Sequence, residues 1–189
     1  LSPSEIAKIG EDAGVYKASK KQINSFLSAI PAGAFIALAF VFYTTTQTGT
    51  VPTHWGLTKL VGGLVFSLGV MMVVVCGSEL FTSSTMTLVA RASGRINTVQ
   101  MLRNWCVVYG GNFIGSILIA LMIWFAGQTM AANGQWGLTI LKTAQHKIHH
   151  TWTEAFFLGI LCNIMVCVAV WVSYSGKTVT DKAFIMIMP

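Results

Sequence analysis

The stretch Val73–Ser84, VVVCGSELFTSS, interrupts an apolar run that opens near Leu60. A helix crossing hydrocarbon favours side chains without polar atoms. Here Gly77, Ser78 and Glu79 arrive in mid-run, with Thr82, Ser83 and Ser84 close behind. Backbone inside a bilayer must find its hydrogen bonds within the protein, because each bare group costs several kcal/mol. A break at that depth therefore belongs against protein or beside a wet cavity. The half-helix that resumes after it offers unpaired N–H groups and the positive end of its dipole. Thr82, Ser83 and Ser84 are suited to cap it, and the combination suits a small anion. The plainer alternative is a Gly-Ser kink capped by Glu79, with no ligand.

The rest of the chain has the same membrane character. Of 189 residues, 54% are hydrophobic and 10% charged, where soluble domains carry about 25% charged residues. Ile23–Thr50, Leu60–Ser78, Trp105–Leu141 and Ala155–Gly176 contain no Lys, Arg, Asp or Glu. A spanning helix needs about 20 apolar residues, so each stretch supplies one. The expected segments are 24–43, 60–77 with a broken continuation over 84–92, 105–126 and 155–172, and a fifth apolar run starts over 183–189. RASGR reads as the end of the continuation, with Gly94 as its stop. Residues 1–22 are polar, with Ile6, Ile9, Ala13 and Tyr16 at helical spacing. They predict a surface or interfacial helix, not a signal peptide. The chain thus divides into an N-terminal helix, 1–22, and a membrane domain, 23–189.

Nine of the twelve basic residues fall on one side of these segments: Lys8, Lys17, Lys20, Lys21, Arg91, Arg95, Arg103, Lys177 and Lys182. Only Lys59, Lys142 and Lys147 fall on the other, which predicts a cytoplasmic N-terminus. The net charge of +6 is this bias and not a nucleic-acid footprint, since no basic stripe with interleaved aromatics lies on a soluble face. Cys76, Cys106, Cys162 and Cys167 all lie within apolar segments without zinc spacing, and read as buried packing thiols.

The connection Gly127–Thr153 reads as an outer loop carrying NGQWGL and HKIHH. His146, His149 and His150 have helical spacing, but a solvated loop is the reading, with no metal and no cofactor expected. A membrane redox subunit needs axial histidines inside helices, and none of the four histidines (His54, His146, His149, His150) lies in a segment. A structural membrane protein without a pathway is the remaining alternative. Against it stands Asn163, a carboxamide midway through segment four that needs a polar pathway or a helix contact as partner. Phe66 and Val70, four apart, suit a constriction or plain packing. Gly111 and Gly115 form a small-xxx-small pattern for close helix contact.

VVVCGSELFTSS together with LGILCNIMVCVAVW (158–171) resembles the two signature stretches of the formate/nitrite transporter family. EDAGVYKASKKQ, KLVGGLVFSLG, NWCVVYGGNFIG, NGQWGL and HKIHHTW extend the resemblance along the chain, towards the bacterial formate channel branch. The resemblance implies an all-α, aquaporin-like bundle of six segments in two inverted halves. It further implies a homopentamer among lipids of the bacterial inner membrane, with one pore per protomer. Formate, as the anion or its protonated acid, is the implied substrate, with nitrite or hydrosulfide the alternative within the family. Thr82 would face the pathway, Asn163 matches the family's segment-four asparagine, and Lys147 matches its outer lysine. The implied constriction is Phe66, Val70, Leu80, Phe81 and Val166, where the formate branch has leucine at the position of Val70. Gly77, Ser78, Glu79 and Ser83 belong to the broken-helix loop. The Ser2–Lys20 helix, at the cytoplasmic mouth, is a candidate gate. The family's central histidine lies in an interrupted fifth segment. The sequence stops at Pro189, so a truncated chain lacking segments five and six is the expectation.

Overall fold

The computed structural model describes residues 1–51 and 54–187, and among these the chain is helical without a strand. Helix α1 (Pro3–Ser19) opens on a capping box: Ser2 Oγ accepts from the Glu5 N–H at 3.3 Å, and the Glu5 carboxylate accepts from the Ser2 N–H at 2.6 Å. After it come α2 (Gln22–Gln47) and α3 (Trp55–Val75). Two short helices follow, α4 (Phe81–Ser84) and α5 (Thr87–Ala92). Then come α6 (Thr98–Phe125), α7 (Gln135–Ile148), α8 (Trp152–Ser173) and α9 (Val179–Ile185). Helices α2, α3, α6 and α8 are long and apolar enough to cross a membrane.

These helices outrun the charge-free segments. Helix α6 begins at Thr98, not 105, because Asn97 and Gln100 form a second capping box that fixes its start. The connection between the expected segments 24–43 and 60–77 contracts, since α2 runs to Gln47 and α3 starts at Trp55; its residues 52 and 53 lie outside the described residues. Residues 188 and 189 of the expected fifth run do so too, and α9 starts earlier, at Val179. The outer connection is corrected most. Most of it is α7, whose Trp136 is buried and donates through Nε1 to Thr45 Oγ1 at 3.0 Å. His146 and Lys147 therefore sit on the last turn of a helix, and the His146 and His150 rings meet edge to face at 4.9 Å.

Helices α2 and α6 form the tightest pair. A Cβ at Gly111 would lie 2.6 Å from Ala29 Cβ, and Cβ atoms at Gly33 and Gly115 would overlap the carbonyl oxygens of Asn112 and Ile30. Small residues let the two backbones touch, as the Gly111–Gly115 spacing predicts. The same device seats α1. Tyr16 and Ile9 are exposed, while Gly10, Gly14 and Ala18 are buried. A Cβ at Gly10 would meet the Trp171 ring at 2.5 Å and one at Gly14 would reach Ala90 Cβ at 3.0 Å. A stripe of small residues allows an approach that Ile or Tyr would prevent. Arg95 adds exposed ion pairs to Glu11 (2.9 Å) and Asp12 (2.6 Å), each worth about 0–1 kcal/mol.

Cys76, Cys106 and Cys162 are exposed on the chain and Cys167 is half-buried. The expectation of four buried thiols fails for three of them, because the outer faces of spanning helices are as apolar as their interiors.

Candidate functional site

Helix α3 ends in a turn that only glycine takes without strain. Gly77 has φ +67°, and the Ser78 N–H reaches back to the Val73 carbonyl at 2.9 Å. Neighbouring helices then satisfy the freed backbone. The Glu79 N–H donates to the Ser28 carbonyl at 3.2 Å. Asn112, on α6, does most: its Oδ1 accepts from the Phe81 N–H (2.8 Å), and its Nδ2 donates to the carbonyls of Glu79 (2.9 Å) and Ala29 (2.8 Å). One carboxamide thus joins the loop and the first N–H of α4 to α2.

The Glu79 carboxylate is buried and meets three elements. It pairs with Lys20 Nζ at 2.8 Å, accepts from Asn104 Nδ2 at 3.3 Å and from Ser28 Oγ at 3.4 Å. Glu79 therefore does not cap the kink. It ties the loop to the foot of α1, to α2 and to α6. Sequence reasoning missed Lys20, Ser28, Asn104 and Asn112, and the carboxamides within the α6 run were the available signal.

The expected caps are corrected as well. The N-cap of α4 is Leu80, with no side-chain cap bond, and Thr82, Ser83 and Ser84 lie inside the helix. The hydroxyls here turn back to carbonyls: Ser83 Oγ to Leu80 O (2.9 Å), Thr85 Oγ1 to Thr82 O (2.6 Å) and Thr87 Oγ1 to Ser84 O (2.8 Å). Such bonds compete with the helix ladder, which accounts for the continuation arriving as α4 and α5 and not as one helix over 84–92. Helix α5 ends as RASGR predicts: Gly94 has φ +76° and the Arg95 N–H reaches Ala90 O at 3.0 Å.

Thr82 and Asn163 stand on elements that pack together. Cys167 Sγ, one turn along α8 from Asn163, donates to the Thr82 carbonyl at 3.3 Å. Thr82 Oγ1 and Asn163 Oδ1 are buried, and neither has a hydrogen-bond partner among the described residues. Asn163 Nδ2 donates within its own helix, to Gly159 O at 3.0 Å.

A cavity of about 330 Å3 lies between α3, α8 and α9, lined by Phe66, Ser67, Val70, Met165, Val166 and Met186, with Lys59 also on its wall. Phe66, Val70 and Val166 thus share one space. Leu80 is buried beside it, with Val166 packed against its cluster. Phe81 stands apart, its ring edge-on to Tyr109 (5.4 Å) and Trp105 (6.4 Å) of α6. Lys147 is exposed.

Lys17, on α1, donates through Nζ to Ser83 Oγ at 3.1 Å. Burial pushes its pKa below the usual lysine range, with nearby Glu79 opposing. The unfolded chain holds this proton to about 10.5, whereas the folded one gives it up earlier. Unfolding then binds a proton, so stability rises with pH between the lowered value and 10.5. Thermal unfolding should show this rise as the pH climbs towards 10.5, and Lys17→Met should flatten it.

The family model described as formate/nitrite transporter matches residues 4–189. The formate channel FocA of Haemophilus influenzae is 75% identical over all 189 residues, and that of Escherichia coli K12 is 56% identical. The chain spans 66% of the length of each. Among solved structures, a pentameric formate channel with formate bound superposes with a TM-score of 0.84 at 50% identity, over 89% of this chain and 66% of that one. A second structure, of an ion channel of the same family, is 23% identical with a TM-score of 0.83, a likeness of fold. With its four apolar spans and interrupted second segment, the chain is a multi-pass membrane protein belonging to the formate/nitrite transporter family.

Proposed function

We propose that the protein passes formate across the bacterial inner membrane as a homopentamer with its N-terminus cytoplasmic. The observation that carries this reading is the pair of unpartnered buried polar atoms, Thr82 Oγ1 and Asn163 Oδ1, on the broken helix and the span packed against it. An unpaired hydroxyl and carboxamide at membrane depth cost stability; a polar ligand relieves that cost. The names of the similar proteins, formate channels, supply the ligand, and the formate-bound pentamer supports the assembly.

The magnitudes favour a protonated passage at the neck. A bare carboxylate entering a low-dielectric constriction faces an idealised penalty on the order of 20 kcal/mol, several kcal/mol after relaxation. Formate titrates near or below the aspartate range of about 3.9, so protonation at neutral pH costs roughly 4 kcal/mol. In this reading Lys147 draws the anion into the outer vestibule, the Thr82 hydroxyl donates to it, and Asn163 Oδ1 accepts from the acid once it is protonated. The anion acquires that proton at or before the apolar neck of Phe66, Val70, Leu80 and Val166, with Phe81 braced against α6 behind them. The Ser2–Lys20 helix, docked on the broken helix through Lys17 and Lys20, is placed to act as a gate.

The test is flux of formate beside nitrite into proteoliposomes of the complete protein under one pH gradient. Faster formate flux supports the proposal, and faster nitrite flux replaces the substrate. Losing a hydrogen bond to a charged group costs about 1.5–3 kcal/mol. Thr82→Ala should therefore slow formate by roughly tenfold or more, and Asn163→Ala, which removes a bond to the neutral acid worth about 0.5–1.5 kcal/mol, by roughly two- to tenfold. Unchanged flux and pH dependence in both variants would refute the assignment.

A further inference from the structure

At the foot of α1 lies a second, much smaller cavity of about 10 Å3, lined by Lys17, Lys20, Ser25, Arg103 and Asn104, where α1, α2 and α6 meet. Two of these side chains are almost fully enclosed: Ser25 is 2% and Asn104 5% exposed. Ser25 Oγ and Asn104 Oδ1 are nonetheless without a hydrogen-bond partner among the described residues. The carboxamide cannot be turned over to relieve this. Asn104 Nδ2 donates to the Lys17 carbonyl (3.2 Å) and to the Glu79 carboxylate (3.3 Å). Reversal would set Oδ1 against two acceptors. Oδ1 is therefore left as an enclosed acceptor on a residue that lines the cavity.

We propose that this cavity binds one water molecule, which donates to Asn104 Oδ1, bonds Ser25 Oγ and accepts from a lysine ammonium. The size fits: a buried water needs roughly 10–15 Å3 and two to four polar partners. The lining cations argue at first for an anion instead. Two observations decide against one. The Lys20 ammonium is already matched by Glu79 at 2.8 Å, and an anion brings only lone pairs to Asn104 Oδ1, which requires a donor. Water alone answers both the acceptor and the ammonium groups. Neither Thr82 nor Asn163 lines the site. It makes the seat of α1 a wet contact, in which the buried amide and hydroxyl stay bonded when the helix shifts.

The test is a structure of the complete protein in lipid nanodiscs that resolves buried waters, with a bromide soak of crystals alongside. A peak about 2.6–3.2 Å from both Ser25 Oγ and Asn104 Oδ1 is expected, with no bromide signal there. In Ser25→Ala that peak should weaken or vanish while other buried waters persist. A bromide signal in the cavity would assign it to an anion. No peak where other buried waters are clear, or one unaltered in Ser25→Ala, would overturn the proposal outright.

Discussion

Replacing Glu79 with alanine is expected to destabilise the protein by about 3–5 kcal/mol, the usual cost of removing one partner from a buried ion pair. The Lys20 side chain, only 18% exposed, would lose the carboxylate 2.8 Å away, while Ser28 and Asn104 would each lose one of two acceptors. Lys17 would lose the charge that offsets its burial. The effect should therefore exceed what a single surface pair provides, which is about 0–1 kcal/mol. Thermal unfolding in detergent measures it. Pairing Glu79→Gln with Lys20→Met removes both charges and should restore much of the loss. If the double variant were as unstable as Glu79→Ala, the pairing would not be the cause.

Gly115→Ala should be comparably severe, at about 3 kcal/mol or more, although it adds a single methyl group. That methyl would overlap the Ile30 carbonyl oxygen and crowd the Ala34 nitrogen, at 2.9 Å. Both obstacles are backbone, so no rotamer change relieves them and α2 and α6 must part. Overpacking commonly costs about 1–3 kcal/mol, more where the neighbours cannot yield. Gly110→Ala is the matched control on the same helix: its nearest obstacle is a flexible phenylalanine ring at 3.9 Å, and it should be close to neutral. Equal melting temperatures for the two variants would show that the close crossing is not what holds this pair.

The spans and the break were legible because both are local signals. Charge-free runs of the right length announce membrane helices, and glycine, serine and glutamate inside one announce an interruption. What holds the break was not legible. Asn112 is 33 residues from Glu79 along the chain, and Lys20 is 59; nothing local says which carboxamide or ammonium a buried carboxylate will meet. The hydroxyls after the break misled for a related reason. Threonine and serine serve as caps or bond back to carbonyls three residues earlier, and packing chooses between these roles. The docking face of α1 was not legible, because Gly10, Gly14 and Ala18 touch through being small and not through being hydrophobic. Thr82 and Asn163 were legible as polar residues in apolar runs. The bond from Cys167 to the Thr82 carbonyl that joins their two elements was not.

Asn112 leaves the chain little room to drift. Its side chain donates twice and accepts once, tying the loop at Glu79 and the start of α4 to α2. Aspartate lacks the donors, leucine offers neither function, and glutamine places its amide one carbon farther out between helices already in contact. A lineage could exchange most lipid-facing residues of α6 one at a time. At this position, substitutions need compensation elsewhere before they become tolerable, so a saturation library should show a point of intolerance here, as at Gly111 and Gly115, inside a span that is otherwise permissive.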